Sequence, residues 1–127
     1  MMLFMQESQK TVREIEQVFP EVCARHKFGV LGTINLKQKL NDKGVPFTRE
    51  CVVFEICNPQ QAQKVLEDNI AIAAALPCRI AVYEENGQSK LATIRPTALL
   101  GLFPNPELQP VAQEVEEVIT RIMQDLA

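Results

Sequence analysis

A chain of 127 residues with 13 Lys and Arg against 16 Asp and Glu carries a formal charge of −3. That balance argues against a nucleic-acid surface, which shows a marked basic excess on one face. The length fits a single domain over residues 1–127 with a core that needs no disulfide staples. Neither Met1-Met2-Leu3-Phe4-Met5 nor the run from Ile70 to Leu76 approaches the roughly 20 apolar residues of a membrane-spanning helix.

In chain order, Leu3 to Glu7 can form a short edge strand. Thr11-Val12-Arg13-Glu14 is a capping-box signature, and Ile15, Val18, Phe19, Val22 and Cys23 recur at helical spacing to about His26. Pro20 lies inside that helix and should bend it. Phe28 to Leu36 alternates as a strand, and Leu36 to Lys43 is a short helical turn closed by Gly44. The basic stretch from Lys37 to Arg49 reads as a solvated helix and loop. Glu50 to Cys57 is a strand, and Pro59 opens a helix through Ala62, Val65 and Leu66. Cys78 to Glu84 and Lys90 to Ile94 flank Asn86-Gly87, a strong hairpin turn. After Asn105-Pro106, residues Val111, Val115, Val118, Ile119, Ile122 and Leu126 form one apolar stripe, with Pro110 blurring the helix start by about a turn. These elements predict an α+β, two-layer sandwich: a mixed sheet of about five strands with helices mainly on one face.

Alternation divides the strand residues between two faces. Val52, Phe54, Ile56, Cys78, Ile80 and Val82 form an apolar face for helices to cover. The other set mixes charges, hydroxyls and small apolar groups: Cys51, Val53, Glu55 and Cys57; Arg79, Ala81 and Tyr83; Thr33 and Asn35; Thr93 and Arg95. Such a face is solvated, or pairs with a second copy across a two-fold axis, or lines a small-molecule groove. Glu55 and Arg79 can form an ion pair on it.

Cys57-Asn58-Pro59 sets a thiol where a strand stops and a helix begins. Asn is a preferred N-cap and Pro the preferred first helical residue, so Cys57 adjoins a helix N-terminus, which favours the thiolate. Glu55 opposes that effect, since a nearby carboxylate raises a thiol pKa. Cys23 belongs to the core, Cys78 reads as a small buried hydrophobe, and Cys51 is undecided. If the helix after Cys57 crosses over to a parallel strand, Cys57 and Cys78 lie at opposite strand ends, and no disulfide joins them.

The four cysteines are widely spaced with no C-x-x-C pair, and no export signal is evident, so reduced thiols and a cytoplasmic location are expected. His26 is the only histidine, the cysteine spacing shows no zinc-knuckle pattern, and the five glycines form no phosphate loop. No metal or cofactor is therefore expected.

Phe28-Gly29-Val30-Leu31, the lysine-bearing turn from Leu36 to Leu40, Glu55-Ile56-Cys57-Asn58-Pro59, Leu76-Pro77-Cys78 with Val82-Tyr83-Glu84-Glu85, and Asn105-Pro106-Glu107-Leu108 occur in that order. As an ordered set over essentially the whole chain, they resemble the domain of unknown function 302 family, small prokaryotic α+β proteins. The resemblance implies a two-layer α/β fold that commonly assembles as a dimer, with no activity established for the family. It also implies that Asn35 stands where many members carry Asp.

The leading expectation is a non-enzymatic cytoplasmic homodimer, with the mixed face as interface and a small-ligand pocket near Cys57. Asn35, Glu55, Cys57, Asn58, Arg79 and Tyr83 are the candidate pocket residues. The ligand would be electrophilic or anionic, aided by free backbone N–H groups after Asn58. One alternative is a thiol enzyme or a sulfur or acyl carrier, with Cys57 as nucleophile and Glu55 or Tyr83 moving protons. Another is a purely structural assembly partner without a pocket.

Overall fold

Helices begin where side chains can satisfy free backbone N–H groups. In the computed structural model, which describes residues 2–127, Thr11 Oγ1 accepts from the Glu14 N–H at 3.1 Å. Glu14 Oε1 accepts from the Thr11 N–H at 2.9 Å, closing the capping box of α1 (Val12–Arg25). Pro20 sits on the exposed side of α1, which continues past it. The other helices are α2 (Leu36–Asp42), α3 (Pro59–Asp68), α4 (Pro96–Leu100) and α5 (Leu108–Leu126), with a 3-10 segment at Ile70–Ala75.

The strands are β1 (Leu3–Ser8), β2 (Gly29–Asn35), β3 (Cys51–Cys57), β4 (Cys78–Glu85) and β5 (Gln88–Ile94), in the spatial order β1-β5-β4-β3-β2. The α+β two-layer architecture follows the pattern, but every pairing is antiparallel and the sheet is not mixed. The reason lies in the β3–β4 connection. It carries α3 and the 3-10 segment, yet returns the chain to the strand end it left, so Ile56 pairs with Cys78. At the β4–β5 hairpin, Asn86 and Gly87 both have positive φ, 55° and 78°, as a two-residue turn of that twist demands.

Two side-chain assignments also change. The β2–β3 register slips between Val30 and Gly32, making Leu31, 66% exposed, the extra residue of a bulge. Beyond it Thr33 pairs with Phe54 and Asn35 with Val52, so both belong to the helix-side register, not the mixed face. Thr93 is also on the helix side: it is buried, and its hydroxyl donates to the Arg79 carbonyl at 2.7 Å. Arg95 lies past β5 and reaches α5.

The helix side of the sheet is largely apolar and buried. Val52, Phe54, Ile56, Ile80, Val82 and Leu91 pack with Ile15 and Phe19 of α1 and with Ile119, Ile122 and Met123 of α5. A second cluster, Val65, Ile72, Leu100, Leu108 and Ala112, joins α3, the 3-10 segment, α4 and α5.

Glu116 of α5 ties α4 into place. Its Oε1 accepts from the Thr97 hydroxyl at 2.6 Å and from the Thr97 N–H at 3.2 Å, and its Oε2 accepts from Arg95 Nη1 at 3.3 Å. Burial raises its pKa, but the two Thr97 bonds and Arg95 outweigh that and leave it lowered. A carboxylate with a lowered folded-state pKa contributes stability above its unfolded value, lost as pH falls through the folded one. Glu116→Gln should therefore cost roughly 1–3 kcal/mol at pH 7. In urea melts at several pH values, the gap from the parent should close as the pH drops below about 4. A gap independent of pH would contradict this.

Candidate functional site

Cys57 ends β3 and Asn58 caps α3, so the predicted strand-to-helix junction is present. The cap uses up the helix-end donors. Asn58 Oδ1 accepts from the Gln60 N–H at 3.1 Å and the Gln61 N–H at 3.2 Å, the Asn58 carbonyl takes the Ala62 N–H at 2.9 Å, and Pro59 has none. No free N–H awaits an anion there, so the expected anion cradle after Asn58 is corrected.

Cys57 borders a cavity of about 50 Å³ where the two hydrophobic clusters fail to meet. Phe28 and Ile56 come from the first cluster, Val65 and Leu100 from the second. Cys78 lines the same cavity. Antiparallel pairing brings both cysteines to one end of the sheet, against the expectation of opposite ends, and both are unbridged. Asn58 and Gln61 supply the polar edge, and Gln61 Oε1 is shut from solvent without a hydrogen-bond partner.

The electrostatics are those of quiet thiols. Burial pushes the Cys57 pKa up, the reverse of helix-end activation. Burial, with Cys57 nearby, takes Cys78 up to about 11. Both shifts run away from the thiolate that nucleophilic attack requires.

The remaining predicted residues are dispersed. Glu55 and Arg79 do pair on the open sheet face, Oε2 to Nε at 3.5 Å. Glu55 lies over Gly32, where a Cβ would stand 2.9 Å from its Oε1, so a larger residue there would make the carboxylate shift. Asn35 caps α2, its Oδ1 accepting from the Gln38 N–H at 3.0 Å. Tyr83 pairs with Cys51, and Asn35 with Val52, at the sheet end away from Cys57. Neither joins the cavity.

A second concavity, of about 320 Å³, lies on the open face between Val53, Ala81, Ala92, Ile94 and Arg79. Cys57 does not line it. Leu99 and Pro77 line both spaces, and α4, which brings Leu99 there, is marked in the sequence only by Pro96.

Among the described residues, no group of three or more His, Cys, Asp or Glu is placed to hold a metal, and no helix is long and apolar enough to cross a membrane. A family model described as "Domain of unknown function DUF302" matches residues 4–126. The chain is similar to a crystal structure of an uncharacterized conserved DUF302 protein from Bacillus stearothermophilus. The identity is 31%, with a TM-score of 0.95, over 100% of this chain and 99% of that one. No curated protein matches.

Proposed function

This chain belongs to the DUF302 family, and we propose that it acts as a cytoplasmic homodimer that binds a small molecule in the cavity beside Cys57. The observation that carries the binding reading is the cavity itself: nearly all apolar, with two protonated thiols and an unpartnered amide oxygen at its wall. At about 50 Å³ it exceeds several-fold the roughly 10–15 Å³ a cavity needs to hold one water, so a short apolar group fits.

The dimer reading rests on the open sheet face. Met5, Ala92, Ala81, Val53 and Ile34 pair in direct register, making one apolar row across all five strands. Among the described residues, the buried cluster that packs on the sheet lies on its other side, and Leu99 of α4 with Ala74 and Ala75 borders only the concavity in this one. A second copy, with the same row, is self-complementary to it.

Iodoacetamide labelling of the native protein, read cysteine by cysteine across pH, tests the cavity. Cys57 should label slowly at pH 7, with an apparent pKa above about 8.5. Saturating 1-butanol should slow it further and leave Cys51, at the far end of the sheet, unchanged. Fast labelling at pH 7, or a Cys57 rate indifferent to the alcohol, would sink the binding reading. The first of those outcomes would put the thiol enzyme in its place.

A further inference from the structure

The two concavities share walls. Pro77, at the threshold of β4, and Leu99, in α4, border both the thiol-lined space and the open-face one. Their chemistry differs in a directional way. The inner space has an apolar lining with no charged residue. The outer one adds Arg79, its only charged residue among those described, with its side chain 63% exposed. Glu55, 23% exposed, holds that side chain through Nε, and is the one carboxylate paired with it among the described residues. The terminal nitrogens are thus left for a second acceptor, and an arginine fork suits a carboxylate.

We infer that the two spaces form one elongated site for a monocarboxylate with a short alkyl chain. The alkyl end passes between Leu99 and Pro77 to lie beside Cys57 and Cys78, and the carboxylate meets Arg79. This rests on the binding reading of the inner cavity and extends it to a ligand class. The sizes agree. The inner space takes about three or four heavy atoms by the same water measure. The outer one, at about 320 Å³, is within the usual range for ligand pockets, roughly 300–1,000 Å³. In a dimer formed through the open face, the partner would roof the carboxylate end. Binding is noncovalent: protonated thiols offer soft, weakly polar contacts and do not need to react.

Hexanoate, acetate and hexan-1-ol are the probes, measured by calorimetry and by protection of Cys57 from iodoacetamide in the intact protein. Hexanoate should bind and protect Cys57, whereas acetate, which has no alkyl tail, should not protect. Arg79→Gln should weaken hexanoate about tenfold and leave hexan-1-ol unchanged. Leu99→Trp should abolish protection by hexanoate, with Leu99→Phe as the second variant if circular dichroism shows the first to be unfolded. Hexanoate affinity indifferent to Arg79→Gln, or binding that leaves Cys57 unprotected, overturns the joined site. If 1-butanol slows Cys57 labelling and hexanoate does not, the inner cavity stands and the joined site falls. If neither slows it, both fall.

Discussion

Phe54→Ala should lower the unfolding free energy by about 3–5 kcal/mol. Phe54 lies in the centre of the helix-covered face, 2% exposed, and its ring stacks on Phe19 with centroids 3.7 Å apart and planes 7° from parallel. Truncation removes the buried ring and leaves a void between β3 and α1 that neighbours on a paired strand cannot collapse to fill. Because domains of this size are stable by only about 5–15 kcal/mol, the loss is a large share of the total. Urea denaturation should show the midpoint falling with little change in slope. A loss below about 1 kcal/mol would mean that the stacked pair is not part of the cooperative core.

Ala81→Glu should dissociate the proposed open-face dimer while leaving the fold intact. Ala81 is at the middle of the apolar row, between Ala92 and Val53, on the face opposite the buried hydrophobic core. In a single copy the new carboxylate reaches solvent, so the melting temperature should barely move. Across a two-fold interface it would be buried against the partner's apolar row, at a cost of several kcal/mol. That predicts dimerisation weakened at least about a hundredfold. Sedimentation equilibrium over a range of concentrations reads it directly. A variant that remains dimeric, or a parent that is monomeric throughout, would remove the open face as the interface.

Much of the fold is written in local chemistry. The Thr11 capping box, the Asn58-Pro59 start of α3 and the Asn86-Gly87 turn all mark real boundaries, because each residue type meets a specific backbone need. The helix-covered face is legible too, since Val52, Phe54, Ile56, Ile80 and Val82 alternate without interruption.

What failed depended on register. Leu31 adds one residue to β2, and with a period of two that reverses every later assignment, moving Thr33 and Asn35 off the open face. Thr93 was recoverable. The two-residue turn pairs Glu85 with Gln88, which sets Ala92 against Ala81 and turns its neighbour Thr93 to the other side. Strand direction was not recoverable, because a helix in the β3–β4 connection is compatible with a crossover or a return. That ambiguity separated Cys57 from Cys78, which the antiparallel pairing brings to one cavity. The rest of that cavity comes from apolar side chains, Val65, Leu99, Leu100, Val111 and Val115 among them, with no local signal beyond being apolar. The electrostatic sign at Cys57 was a contest between burial and the helix end. Burial prevails, because Asn58 already occupies the donors that would have served a thiolate.

The most direct measurement is a methyl-resolved NMR titration of the native protein with 1-butanol. Shifts confined to the cavity-lining methyls, those of Ile56, Ala62, Val65, Leu76, Leu99, Leu100, Val111 and Val115, saturating together, are the expected result, with Leu31 and Leu102 on the surface unmoved. Shifts that never saturate, or that appear first at those exposed leucines, would show that the thiol-lined cavity does not bind.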